Sequence, residues 1–212
     1  VLILTGMRVW NLETITKQLE KGEVVLFSSE VSKHNKRGAI QKRSLLLTNR
    51  YIYNIDFNDK KAQLLSFLVS TLAIKRKIAL VDVEAITLTT YYLSDQLILH
   101  VPKEYDYRYS GLGKKREVFI KILCREYLAA TGNNMSFHFK EFPDLAEFQT
   151  TDDDKASKIN KMPKEEPLVI PYPDLDKGLD FLKKALKNIE VRKSYLASTS
   201  RMSMTADSTA QE

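Results

Sequence analysis

Hydrophobic and polar residues alternate with a period of two through much of the first 110 residues, a pattern typical of β-strands with one buried face. The alternating segments are rich in β-branched and aromatic residues and are separated by short polar turns. The pattern predicts strands at 23–33, 40–48, 51–55, 74–80, 83–89, 97–101 and 135–139, and one more in which Tyr105, Tyr107 and Tyr109 share a face. The segment 56–73 interrupts this series and is interpreted either as an inserted short helix or as a buried loop.

Two helices are predicted around the strands. Residues 114–131 repeat apolar side chains at helical spacing, and Gly132 follows them as a typical helix end. Asn11 can cap an earlier short helix that ends at Gly22. A series of strands followed by one long helix predicts a mainly-β fold, an antiparallel barrel or sandwich with the helix packed at one end.

The composition changes after Lys140, and this change separates the predicted domain from an extended tail. We expect an N-terminal segment with a short helix (1–22), a β-rich domain (23–140), a charged, proline-containing linker (141–173), an amphipathic helix (174–196) and a Ser/Thr-rich tail (197–212). Within the linker, the proline-bounded residues 168–170 suit an extended peptide that lies on a sheet edge or in a groove. The amphipathic helix carries an apolar seam at spacings of four and three: Leu175, Leu179, Leu182, Leu186 and Ile189. Two interpretations of this seam stay open, since it can pack on its own domain or bind another chain.

The composition also argues against several classes of protein. Hydrophobic residues make up 43% of the 212, enough for a packed core, yet no stretch approaches the ~18 apolar residues of a membrane span. A single cysteine, Cys124, cannot form an internal disulfide, which indicates a reducing, cytoplasmic compartment. His34, His100 and His138 stand apart without the spacing of metal ligands, and the carboxylates suggest no acid–base pair. We therefore expect neither an enzyme nor a protein with a metal or cofactor.

Charge is distributed unevenly along the chain. Residues 1–140 carry 22 Lys and Arg against 13 Asp and Glu, a net charge of +9. Residues 141–212 carry 11 against 14, a net charge of −3. A basic domain favours an anionic partner, and the acidic remainder does not.

Several short segments, taken in order along the chain, resemble one family. They are SLLLTNRYIY at 44–53, KIALVDV at 77–83, LSD at 93–95 leading into LHV at 99–101, and AATG at 129–132. This series, which extends from about Thr16 to Phe139, resembles the class I myosin tail homology (TH1) domain. The resemblance implies a pleckstrin-homology-like (PH-like) fold, a bent seven-stranded antiparallel barrel capped by a C-terminal helix. It also implies binding to anionic, phosphoinositide-bearing membranes and a link between membrane and the actin–myosin cytoskeleton.

A basic cluster in the first predicted hairpin is the leading candidate site. Five cations lie within eleven residues that contain no acid: Lys33, Lys36, Arg37, Lys42 and Arg43. Clustered Lys and Arg bind phosphate through charge-assisted hydrogen bonds. The lipid-binding pattern of the family has a Lys on the first strand and Lys/Arg-x-Arg on the second. Lys33 and Arg43 match it, whereas Gln41 replaces the intermediate cation and Lys42 is displaced onto the opposite strand face.

Other charged and aromatic segments give weaker signals. Residues 75–77 and 114–116 can extend the basic surface, with Lys75 and Lys77 expected on one strand face and Arg76 on the other. The loop at 111–114 lacks the first glycine and the hydroxyl of a Walker phosphate loop. Alternate tyrosines at 105–109 are more typical of a packed sheet face than of a nucleic-acid stacking surface, so nucleic acid is disfavoured as a partner.

The sequence therefore predicts a non-catalytic TH1-like module that binds anionic phospholipid headgroups through the basic cluster and associates peripherally with membrane and cytoskeleton. One alternative is that the cluster is a solvated hairpin tip or docks an acidic protein surface. On that view the chain is a structural subunit of a large cytoskeletal assembly, ciliary or axonemal, that contacts its partners through the C-terminal helix and tail without binding lipid.

Overall fold

The computed structural model describes residues 3–4, 15–35, 37–56, 73–91 and 93–180. Ten strands lie within these ranges: β1 (Ile3–Leu4), β2 (Val25–His34), β3 (Ile40–Thr48), β4 (Tyr51–Asp56), β5 (Ala73–Ala79), β6 (Ala85–Thr89), β7 (Leu97–His100), β8 (Tyr107–Ser110), β9 (Ser136–Lys140) and β10 (Leu168–Val169). The helices are α1 (Lys115–Thr131), α2 (Asp152–Ala156) and α3 (Leu175–Gly178), with short 3-10 turns at Leu80–Asp82, Ala146–Phe148 and Tyr172–Asp174. Strands β2 to β9 and helix α1 confirm the elements that the hydrophobic pattern predicts. The start of the predicted N-terminal helix (11–14), residues 57–72 of the predicted insertion and everything after residue 180 lie outside the described residues.

All ten strands belong to one bent sheet. Its order is β10-β9-β6-β7-β8-β2-β3-β4-β5, and β1 pairs with β2 in parallel. Strands β2 to β5 and β6 to β8 form two antiparallel series that join where β8 pairs with β2. The mainly-β fold class is confirmed, whereas the predicted seven-stranded barrel is not, because the strands form one open ten-stranded sheet. Strand β9 runs parallel to β6 and occupies the edge that a closed barrel would offer to β5, so the sheet stays open.

The period of two in β3 separates two hydrophobic cores. Leu45 and Leu47 point into the main core, where Phe27 packs against Phe119 of α1 with ring centroids 5.4 Å apart. Leu46 points the other way into a smaller core on the opposite face of the sheet. Helix α1 ends at Gly132, whose left-handed φ of 75° lets its N–H bond to the carbonyl of Leu128 at 2.8 Å.

The C-terminal extension, residues 141–180, packs on the sheet and on α1. The sequence predicts a charged linker for 141–173, and the structure corrects this, because Leu145 and Ile170 are buried and β10 pairs with β9. The charged residues alone predict a linker, but the widely spaced apolar residues Leu145 and Ile170 hold the segment on the domain. Proline-bounded 168–170 does lie extended on a sheet edge, and that edge belongs to its own domain.

A buried carboxylate fastens the extension to the domain. Asp106 accepts hydrogen bonds from His100 Nδ1 at 3.0 Å, from the Val101 N–H at 3.2 Å and from the Thr150 N–H at 2.8 Å. The Asp106 N–H donates in turn to the Thr150 carbonyl at 3.0 Å. We call this set of contacts the Asp106 latch. In the part of the chain that the structure describes, no helix combines the length and the apolar character needed to cross a bilayer.

Candidate functional site

A basic pocket of about 420 Å³ opens between the β2–β3 hairpin, β5 and the loop before β8. Its walls carry five cations and one acid among other polar side chains: Lys33, Asn35, Arg37, Gln41, Arg43, Lys75, Arg76, Tyr105 and Asp152. The volume lies in the range of ~300–1,000 Å³ that is usual for small-molecule sites. Because opposite charges are so few there, the pocket is suited to an anion with several negative charges.

Lys33 lies deepest in this pocket and is held by aromatic rings instead of a carboxylate. It occupies the same face of β2 as Val31 of the core, and only 7% of its surface is exposed. Its Nζ donates to Tyr105 Oη at 3.1 Å and lies 5.2 Å and 5.0 Å from the ring centroids of Tyr105 and Tyr107. Cation–π contacts stabilise an ammonium without neutralising it. These contacts therefore leave the positive charge of Lys33 without a neutralising carboxylate.

Tyr105 joins two cations from strands that are not neighbours. Its Oη accepts from Lys33 of β2 and from Arg76 Nε of β5, both at 3.1 Å. Burial raises the pKa of Tyr105, but the hydrogen bonds and charges of Lys33 and Arg76 outweigh it and hold the pKa below its ordinary value. The same hydrogen bond raises the pKa of Arg76. An ammonium has three donors and a guanidinium five, so both cations keep donors for an anion beside this shared oxygen.

Arg43 and Lys42 lie on opposite faces of β3, as the alternation predicts. Arg43 faces the pocket, where its Nη1 pairs with Asp56 at 3.0 Å. Lys42 is exposed and lines a different cavity with Glu30 and Gly111; Arg43 borders both cavities, but Lys42 does not line the basic pocket. The predicted cluster is thus divided, because a strand cannot direct adjacent side chains to one face.

Arg37 stands at the rim of the pocket on a turn that is fixed by Asn35. The Asn35 Oδ1 accepts from the backbone N–H groups of Arg37 and Ala39, each at 2.9 Å. Gly38 supplies the positive φ of 76° that this turn requires. Of the five predicted cations, Lys33, Arg37 and Arg43 therefore meet at one pocket, Lys42 does not, and Lys36 lies outside the described residues.

Lys75 and Arg76 belong to the pocket because β5 contains a bulge. Asn54 pairs with Arg76 but Ile55 pairs with Ile74, so Lys75 is an extra residue in the ladder. The bulge breaks the simple alternation, and Lys75 and Arg76 both line the pocket. Lys77 points away and forms an ion pair with Glu20. The expectation that Lys75 and Lys77 share a face was wrong for this reason.

The other segments with candidate chemistry are used structurally. The backbone N–H groups of Gly111 and Gly113 donate to the Asp95 carboxylate at 3.1 Å and 2.6 Å, so the glycine loop holds a carboxylate of its own chain. Arg116 is buried and donates to the carbonyls of Thr89 and Gln96. Tyr107 and Tyr109 of β8 are fully buried, which leaves no stacking surface for nucleic acid on these rings.

A chain of buried hydrogen bonds has the connectivity of a hydrolytic triad. Thr87 Oγ1 lies 2.7 Å from His100 Nε2, and His100 Nδ1 lies 3.0 Å from Asp106. The Thr87 hydroxyl belongs to a fully buried residue on β6, so no substrate carbonyl can reach it. Its role is to satisfy buried polar groups beside the Asp106 latch.

The apolar seam begins inside the domain. Leu175 and Leu179 are buried in the main core, beside the face of α1 that also contacts Tyr172. Lys121 of α1 forms ion pairs with Glu117 and Asp176 across the same contact. For these two leucines, the structure agrees with the interpretation in which the seam packs on its own domain. Leu182, Leu186 and Ile189 lie outside the described residues, and partner binding through them stays a prediction.

The described residues form a bent sheet with a helix packed against it and a basic pocket on one side. A family model described as "Unconventional myosin tail, actin- and lipid-binding" matches residues 10–171, so the chain belongs to the myosin TH1 family. The match confirms the resemblance found in the sequence. It also reaches past Phe139 through β10, so that most of the C-terminal extension is part of the family's domain.

Individual relatives cover different parts of the chain. The "Myosin IA heavy chain" of Dictyostelium discoideum is 33% identical over 135 residues, which is 62% of this chain and 13% of that protein's length. The Vps36 N-terminal PH domain is similar in structure, with a TM-score of 0.40 and 18% identity over 54% of this chain and 86% of that one. The hSac2 domain from human phosphoinositide phosphatase Sac2 gives a TM-score of 0.41 and 12% identity over 65% and 93% of the two chains.

Proposed function

We propose that this chain is a non-catalytic, membrane-binding module of a myosin tail and that it holds phosphoinositide headgroups in the basic pocket. The module would associate peripherally with the membrane and connect it to the actin–myosin cytoskeleton. A single observation carries the proposal: five cations from three separate strands and a turn converge on one cavity, namely Lys33, Arg37, Arg43, Lys75 and Arg76.

The chemistry of the pocket favours phosphate over a single carboxylate. Arginine binds phosphate oxygens bidentately, and lysine adds a point charge. Lys33 keeps its charge against tyrosine rings, whereas Arg43 shares its charge with Asp56. A headgroup with several phosphates can contact Lys33 and Arg43 together. The family description as lipid-binding supports the same ligand class.

Vesicle cosedimentation of the full chain tests the proposal with a matched pair of variants. Arg37→Glu reverses a charge at the rim of the pocket, and Lys42→Glu makes the same change on the other face of the same hairpin. On phosphatidylcholine vesicles that contain phosphatidylinositol 4,5-bisphosphate, we expect Arg37→Glu to weaken binding about tenfold and Lys42→Glu about threefold or less. Added salt should weaken binding of the unmodified protein, since the contact is electrostatic.

Each alternative outcome has a definite meaning. Equal losses from both variants would show that general surface charge binds the vesicle and that the pocket does not. Binding that ignores salt and both variants would remove the membrane proposal. The basic face would then be assigned to an acidic protein surface, as in the cytoskeletal-assembly hypothesis, where Leu182, Leu186 and Ile189 are the further proposed contacts.

A further inference from the structure

The C-terminal extension supplies one wall of the basic pocket, and its attachment there is specific. Gln149 is buried, and its Nε2 donates to the carbonyl of Asp106 at 2.9 Å and to that of His34 at 3.4 Å. Its Oε1 accepts from Arg108 Nε at 3.1 Å. His34 directly follows Lys33, and Asp106 directly follows Tyr105. Gln149 therefore ties the extension to both walls of the pocket.

This attachment brings one carboxylate of an acidic triplet to the pocket. A capping box between Thr151 and Asp154 fixes the first turn of α2, with the Thr151 N–H donating to Asp154 Oδ2 at 2.9 Å. Asp154 also pairs with Lys161 at 3.1 Å and is occupied by these contacts. Asp152 is exposed and, among the residues that the structure describes, is the one acidic residue that lines the pocket, whereas its neighbour Asp153 is exposed and does not line it.

We propose that Asp152 is a specificity-determining residue that selects inositol headgroups with free hydroxyls over fully phosphorylated ones. This inference rests on the proposed function of the pocket. The cations take phosphate groups, while the Asp152 carboxylate accepts hydrogen bonds from unsubstituted ring hydroxyls and repels further phosphates. The ligand that satisfies both sides of the pocket is a partly phosphorylated polyol.

The reasoning depends on what a carboxylate does beside bound phosphate. An ionised carboxylate is only an acceptor, so a hydroxyl satisfies it and a phosphate oxygen does not. Repulsion grows with each additional charge on the ligand and acts across the few ångströms of a small pocket, where salt screens it less than at the open surface. Removing the charge should therefore favour the most highly charged ligand most.

Calorimetric titration of the full chain measures this selectivity with two soluble ligands, inositol 1,4,5-trisphosphate and inositol hexakisphosphate. We expect Asp152→Asn to tighten binding of the hexakisphosphate about threefold more than binding of the trisphosphate. Asp153→Asn, the same charge change one residue away, should leave the ratio of the two affinities unchanged. Vesicles that contain phosphatidylinositol 4,5-bisphosphate form a second arm, which separates a lipid headgroup from a free inositol phosphate as the source of the ligand.

The results distinguish this inference from the function on which it rests. If the unmodified chain binds neither soluble ligand nor the vesicles, the proposed function fails. If it binds them and the two Asn variants shift the affinity ratio equally, the proposed function stands and the assignment to Asp152 is overturned. Circular dichroism of each variant confirms that the fold is retained, since Asp152 is exposed at the surface.

Discussion

Replacing Asp106 with alanine should lower the free energy of unfolding by about 4 kcal/mol. Asp106 is 4% exposed, and its carboxylate accepts three hydrogen bonds, from His100 Nδ1, the Val101 N–H and the Thr150 N–H. In Asp106→Ala these three donors lose their acceptor while they remain buried. Each buried, unsatisfied donor costs about 1–3 kcal/mol, which gives about 3–9 kcal/mol for the set.

The lower half of that range is expected because water can reach the site. A cavity of about 370 Å³ is lined by His100, Asp106 and Thr150, among other residues. It is large enough to admit water to the three donors that have lost their acceptor. A loss of about 4 kcal/mol remains a large part of the 5–15 kcal/mol that stabilises a typical domain.

Urea unfolding followed by far-ultraviolet circular dichroism measures the effect, provided that the m-value is unchanged. Asp82→Ala is the matched control, since Asp82 pairs at 2.5 Å with Lys103, whose side chain is 78% exposed. A surface pair of this kind contributes at most about 1 kcal/mol. If Asp106→Ala costs no more than Asp82→Ala, the latch does not hold the extension as described. Limited proteolysis adds a second readout, because a broken latch should expose residues 141–180 to cleavage first.

Three further predictions follow from buried groups. Burial lowers the pKa of His34, with a further contribution from the charge of Arg108, and burial also lowers the pKa of His138. At a pH just below 6.5 both rings are therefore still neutral in the folded protein, whereas they take up protons in the unfolded chain. The melting temperature should therefore be highest above about pH 6.5 and fall towards about pH 5, and the fall should be shallower for His34→Gln. A melting temperature that does not change with pH would contradict this. Burial raises the pKa of Cys124 to about 12, so a thiol reagent at neutral pH should modify it in urea and spare it in the native protein, and equal rates would refute its burial. Leu179→Ala should cost about 3 kcal/mol in urea unfolding, and a loss below about 1 kcal/mol would show that this leucine is not held in the core.

The hydrophobic pattern was sufficient for the strands because the sheet has one face on each core. Leu45, Leu46 and Leu47 alternate between two cores, and such alternation is visible in the sequence alone. Closure of the sheet was not predictable in the same way. It depends on which strand lies beside β6. The parallel partner β9 follows in the chain only after α1, so no short sequence pattern around β6 predicts this pairing.

Some residues of the candidate site could be predicted from the sequence and others could not. Lys33 and Arg43 could be assigned from strand position, since residues of equal parity in paired strands share a face. Lys75 and Arg76 could not, because a bulge changes which side chains face the pocket and leaves no mark in the residue types. Tyr105 was recognised as part of an aromatic row, but its hydrogen bonds to cations of two distant strands depend on the tertiary fold.

The contribution of the extension to the pocket has a practical consequence for experiments on isolated fragments. A recombinant piece that stops at Lys140, where the composition changes, would lose Gln149, the Thr150 contact to Asp106 and the carboxylate of Asp152. Its cavity would lack the one acidic side chain found among the described lining residues and would be more positively charged than the intact one. On the proposed function, such a fragment would bind polyanions more tightly than the full chain and distinguish less between them.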